Sequence, residues 1–180
     1  MKWYGSITNR LEEGRNFTGR ELREGDDITM YYYSDCTCYF ITKVISQKEI
    51  QVKKYHVCAD FSKDGGMGHQ NWLYFKTLKE HNAYLNSVHT GHEWNENPIE
   101  DTPDTWVLRY GTWQQKINYT YDSFKTIAEK SGFKFEPYFQ HCFTEKEREK
   151  LLNGGIVAKY NKLPGKISFG VRNYYYDWSF

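Results

Sequence analysis

From Ile28 onward, β-branched and aromatic residues recur with a partial two-residue alternation, the spacing of strands whose side chains point to opposite faces in turn. Ile28–Tyr33, Tyr39–Ile45 and Ile50–Tyr55 have this character, and Ser34-Asp35 and Ser46-Gln47-Lys48-Glu49 supply the turns between them. In the third strand Ile50, Val52 and Lys54 fall on one side and Gln51, Lys53 and Tyr55 on the other, which predicts one wet face. Trp72–Phe75 and Thr105–Ile117, the latter turning near Gly111, read as further strands, and the pattern returns at Ile156–Tyr160 and from Ile167 onward. Between them lies a polar, proline-marked stretch expected to leave the sheet as an acidic insertion at about 76–104.

Helical signals are fewer. Residues 5–14 predict a short helix capped by Ser6 or Thr8, with Ile7 and Leu11 on one face and Gly14 as its stop. Asp122 or Ser123 can cap a segment that places Phe124, Ile127 and Ala128 together and closes at Gly132. Thr144-Glu145-Lys146-Glu147 is a capping box ahead of Leu151-Leu152, with Asn153-Gly154 as the stop. Short strands with tight turns, then modest helices and terminal strands, predict a single α+β domain over residues 1–180. Its sheet is expected to be a strongly bent antiparallel one or a small SH3-like barrel, with two or three short helices.

Composition changes this in one respect. The 6 Trp, 16 Tyr and 11 Phe among 180 residues outnumber Leu, Ile and Val together, so the core must be rich in rings. No apolar run approaches the roughly 18 residues of a membrane helix, and Met1-Lys2-Trp3-Tyr4 lacks a secretory apolar region, which makes the cytoplasm the expected compartment. Cys36, Cys38, Cys58 and Cys142 lack paired Cys-x-x-Cys spacing and read as buried small hydrophobes, Cys36 and Cys38 on the same face of a strand.

Net charge is only +1, yet it is unevenly spread. Lys79 to Asp104 holds one lysine against six acids, among them Glu93, Glu96, Glu100, Asp101 and Asp104. Between Gly154 and Tyr176, Lys159, Lys162, Lys166 and Arg172 face no acid at all. Such a chain can present the acids to a basic protein surface and the cations to phosphate. Lys43, Lys48, Lys53 and Lys54, set among strand aromatics, and Arg172 before Tyr174-Tyr175-Tyr176, add the mixture of cations and rings that contacts unpaired nucleic acid. Solvated charges and sheet-packing rings are the plain alternative.

Catalytic constellations are weaker. His81, His89, His92 and Glu93 have a ligand-like look, but they lack His-Glu-x-x-His spacing, and no metal or other cofactor is assigned. A metal-dependent nuclease or guide-RNA-cleaving inhibitor would draw on His56, Asp60, Asp64 and His69 around the loop Asp64-Gly65-Gly66-Met67-Gly68. That loop lacks the lysine and spacing of a phosphate cradle, and no nucleophile elbow occurs. No catalytic set is therefore assigned beyond the nuclease alternative.

Both ends carry a resemblance. Met1-Lys2-Trp3-Tyr4-Gly5-Ser6 followed by Asn9-Arg10-Leu11-Glu12, and Ser168-Phe169-Gly170-Val171 followed by Tyr174-Tyr175-Tyr176-Asp177 and Phe180, resemble a family of small proteins encoded by phages, prophages and other mobile elements of gut-type bacteria. Tyr33-Ser34-Asp35, Val44–Ile50 and Arg109-Tyr110-Gly111-Thr112-Trp113 are similar to its Trp-Ser-Asp turn, its valine-rich strand pair and its Arg-x-Gly-x-Trp hairpin. Cys36 departs from the family's usual arginine, and residues 76–92 look inserted. The resemblance implies antagonism of host defence, as by anti-CRISPR inhibitors of Cas9-type effectors. The partners it implies are such an effector, its guide RNA or its target DNA. A phage regulatory module that binds DNA alone is the further alternative.

Overall fold

The computed structural model describes residues 10–13, 16–17, 21–32, 35–60, 62–63, 71–89, 93–95, 98–170, 172 and 174. Its strands and helices follow in the order β1 (Arg10–Glu13), β2 (Asn16–Phe17), β3 (Asp27–Tyr31), β4 (Cys36–Ser46), β5 (Glu49–Lys54), β6 (His56–Ala59), β7 (Trp72–Phe75), α1 (Leu78–Val88), β8 (Asp104–Arg109), β9 (Thr112–Tyr119), α2 (Tyr121–Lys130), α3 (Phe135–Cys142), α4 (Glu145–Leu152), β10 (Val157–Lys162) and β11 (Lys166–Phe169). The fold is α+β, with a mostly antiparallel sheet and a separate pair β6-β7. Its contacts divide into one unit of residues 1–114 with 162–180 and a second of 115–161.

In the first unit, counting the opening residues 112–114 of β9, the strand order is β9-β8-β5-β4-β3-β11-β1-β2. This order is open, so no closed barrel forms among the described strands. Antiparallel register sets Ile28 against Phe169, Met30 against Ile167, Ile41 against Val52 and Ile50 against Trp106. These side chains share one face and build a core with Leu22 and Trp113. Trp113 of β9 and Phe169 of β11 touch, with ring centroids 5.5 Å apart, although β8, β5, β4 and β3 lie between them in the sheet. That contact requires the sheet to curve.

The opposite face is only partly wet. Cys38, Phe40 and Tyr55 are buried there against Val57 and Tyr74 of β6 and β7. Alternation along the third strand assigns Tyr55 to a solvated side. It is instead 3% exposed, because the chain passes straight from β5 into β6 and the small sheet closes over it. A register shift between Ile41 and Lys43 brings Val44 opposite Ile50 and returns it to the core side, which breaks the simple alternation of β4.

Two sequence expectations change here. Arg10–Glu13 is a strand parallel to β11 rather than helix, Arg10 opposite Ser168 and Leu11 opposite Phe169; residues 5–9 lie outside the described residues. Residues 78–88 inside the acidic insertion form α1, where Thr77 accepts from the Glu80 backbone and the Glu80 carboxylate from the Thr77 backbone.

The second unit is packed by rings. Phe124, Phe139, Phe143, Leu151 and Val157 are buried, with Tyr119, Tyr121, Phe135 and Tyr138 against them. Thr120, not Asp122 or Ser123, caps α2. Phe124 and Ala128 are buried as expected, but Ile127 is 41% exposed, because the buried stripe is narrower than the three residues suggest. The Thr144–Glu147 box and the stop at Asn153-Gly154 form as read, Gly154 at φ 77°. Helix α3 has no visible start signal: Lys134 at its N-cap makes no side-chain bond.

Candidate functional site

Two adjoining clefts in the first unit, about 350 Å³ and 340 Å³, share Lys54, His56 and Asp101. His56 opens β6 and points toward α1, where the His81 ring lies 6.0 Å from its own. Glu100 reaches back to the start of α1 and accepts the Leu78 N–H at 2.6 Å. Together with the Thr77–Glu80 box it serves N–H groups that a helix start leaves without partners. Its other oxygen, buried and without a hydrogen bond, lies 3.5 Å from Lys53 Nζ and 3.8 Å from His56 Nε2.

Burial pulls the Glu100 carboxyl upward, but the Leu78 and Lys79 backbone donors, Lys53 and His56 together outweigh it and hold the group below its ordinary range. His56 is pushed down, first by burial and also by His81 and Lys53, against the pull of Glu100 and Asp101. It is therefore a neutral imidazole at neutral pH.

The expected acids thus take different roles. Glu100 is committed to the fold, whereas Glu93, Asp101 and Asp104 are exposed; Glu96 lies outside the described residues. The expected cations also divide. Lys53 pairs with Glu100; Lys159 donates to both Glu147 oxygens at 2.8 Å and sits over the Phe143 ring. Arg172 lies 3.7 Å from Asp27 and 5.3 Å from the ring centres of both Tyr55 and Tyr74. Lys43, Lys48, Lys54, Lys162 and Lys166 are exposed, and no ion pair among the described residues holds them.

Of the nuclease set, only His56 and Asp60 are among the described residues. Asp60 is buried and turned onto the Ser62 hydroxyl at 2.6 Å, the Ser62 N–H and Lys63, and these contacts hold its carboxyl low. Asp64, His69 and the glycine loop lie outside them. Of the histidine group, His81 packs against Phe75, His89 is exposed and His92 is outside; no three His, Cys, Asp or Glu gather as a metal-holding group among the described residues.

Compared with protein-family models, curated proteins and solved structures, the chain matches none. No helix among the described residues is long and apolar enough to cross a membrane. Sequence reasoning does not single out Asn82, Asn86 or Gln47, whose amides pin loops to the fold. The nearest signal for the first two is Thr77-x-x-Glu80, a capping pattern that places them on one helix face.

Proposed function

We propose that the chain is a mobile-element binding protein that disables a Cas9-type CRISPR effector in the host cytoplasm by occupying its guide RNA or target DNA. The observation that carries this reading is the partition of the cations. Lys43, Lys48, Lys54, Lys162 and Lys166 stay exposed without an ion pair, while Glu100, one of the acids of the acidic insertion, is spent on α1. Lysines left free of acids are available to phosphate. The Trp113–Phe169 contact supports the strongly bent form of the sheet that presents them. Glu93, Asp101 and Asp104, all exposed, are the acids proposed to meet the effector protein. Asp60, tied to Ser62 and Lys63, gives a nuclease no free carboxylate at that position.

Purified protein titrated with guide RNA, single-stranded DNA and duplex DNA, with and without effector, tests the reading. Reversing Lys162 and Lys166 to Glu weakens binding by about tenfold or more and flattens its salt dependence by about 0.7–0.9 in slope per lost contact. Failure of the unaltered protein to retain any nucleic acid, alone or with effector, would overturn it, as would cleavage of the RNA.

A further inference from the structure

In the second unit several ring pairs meet edge-on, among them Tyr119–Phe124 at 82°, Phe124–Phe143 at 79° and Tyr121–Phe139 at 85°. One line of rings does not. Tyr138 lies parallel to buried Phe124, centroids 5.1 Å apart and planes 17° apart, and Phe133 lies parallel to Tyr138 at 4.6 Å and 21°. The line thus runs as a three-layer stack from the core to Phe133, which is 54% exposed. Phe135 and Phe139 are also parallel, but Phe135 is half-buried.

The backbone fixes Phe133 in place. Its N–H donates to Ala128 O at 3.0 Å and the Gly132 N–H donates to Glu129 O at 3.1 Å, with Gly132 at φ 72°. This is the helix-terminating arrangement in which an apolar residue at the Phe133 position usually folds back on the helix it ends. Here the ring rests instead on Tyr138 of α3 and leaves a flat apolar surface in water. Lys130 and Lys134, both exposed, flank it in sequence, and so do exposed Glu129 and Glu136. Charge is balanced there, so a ligand gains mainly from the ring, and the geometry that extends a parallel stack is another planar π system.

We propose that Phe133 is a stacking ledge for an unpaired nucleobase, with Lys130 and Lys134 meeting the neighbouring phosphates. The proposal rests on the nucleic-acid reading of the exposed lysines and places one of its contacts in the second unit. It calls for single strands, since a base inside a duplex has both faces covered by its stacked neighbours.

Oligonucleotides bearing the fluorescent base 2-aminopurine, as single strands and as duplexes, separate the outcomes. Phe133→Ala and Phe133→Leu each weaken single-strand binding by about tenfold and abolish the stacking quench, while the salt slope and duplex binding stay as in the unaltered protein. Phe133→Trp retains both. Phe133→Leu keeps apolar bulk without a flat face, so its loss cannot be laid to misfolding; near-ultraviolet circular dichroism checks the fold of each variant. If Phe133→Ala and Phe133→Leu bind single strands as well as the unaltered protein while the Lys162/Lys166 reversal does not, the ledge is wrong and the nucleic-acid reading stands. If the unaltered protein binds neither form, both fall.

Discussion

The side-chain amide of Asn86 closes a ring of two hydrogen bonds with the backbone of Trp94: its Oδ1 accepts the Trp94 N–H at 2.7 Å and its Nδ2 donates to the Trp94 carbonyl at 3.1 Å. One turn earlier on α1, buried Asn82 donates to the Asn95 carbonyl at 2.8 Å. Gln47 treats Leu22 in the same way, accepting its N–H at 2.7 Å and donating to its carbonyl at 3.0 Å. In each place an amide side chain supplies the partner that a neighbouring strand would otherwise give.

Asn86→Ala removes both of these hydrogen bonds to the Trp94 backbone. The expected result is loss of hydrogen-exchange protection at the Trp94 amide and a destabilisation of about 1–2 kcal/mol, read by urea titration. Asn86→Asp keeps the acceptor and restores protection of that amide in part. Unchanged exchange at Trp94 in the alanine variant would refute the tie.

The Tyr110-Gly111 turn between β8 and β9 has positive φ at both positions, 51° and 77°. Only glycine, asparagine and aspartate take that conformation readily, and Tyr110 is 90% exposed. Tyr110→Asn therefore stabilises the protein by about 0.5–1 kcal/mol, and Gly111→Ala costs about 1 kcal/mol despite open space around it. Thermal unfolding of the two variants should move in opposite directions.

Much of the sheet is legible because its alternation is local. Ile28, Ile41, Ile50 and Val52 sit where period-two spacing puts them, and the capping box at Thr144 needs only four residues to be read. What escapes depends on distance. Arg10–Glu13 becomes a strand through pairing with Lys166–Phe169, far along the chain. Tyr55 is buried by a second sheet that its own neighbours do not announce. The charged residues are hardest: their spacing shows Lys159 and Glu100 but not Glu147 or the Leu78 N–H, the partners that withdraw them from the surface. Phe133 carries no signal, since its parallel contact with Tyr138 depends on how α2 ends.

Glu100 links pH to stability. Because its folded carboxyl titrates below its ordinary value, its contribution is fully present above the usual glutamate range and is lost as pH falls through the depressed folded value. Glu100→Gln should lower stability near pH 7 and lose that deficit in strong acid. A deficit that stays constant with pH would show that charge is not what Glu100 supplies.

His56 acts with the opposite group chemistry but the same direction. A histidine whose folded pKa is lowered binds protons better when unfolded, so stability declines as pH drops from the usual histidine range toward the depressed value. His56→Gln should flatten the stability profile in that window. An imidazole resonance for His56 that titrates at or above the free-histidine value would contradict the assignment.

Lys159→Glu places an acid against Glu147, breaks a pair whose side chains are 32% and 28% exposed, and is expected to cost about 1 kcal/mol. Lys162→Glu, at an exposed position, should leave thermal stability within about 0.5 kcal/mol. In a salt titration with RNA the order reverses: Lys162 contributes to the slope, and Lys159 does not.

The burial of Cys38 gives the molecule an internal clock. Its thiol is pushed up to about 12, chiefly by burial, and it is wholly enclosed beside Phe40 and Tyr55. Alkylating reagents thus meet a reactive sulfur only when the small sheet of β6 and β7 lifts away, whereas half-buried Cys58 and Cys142 start from partial access. The lag between those labelling events times how often the two sheets part company.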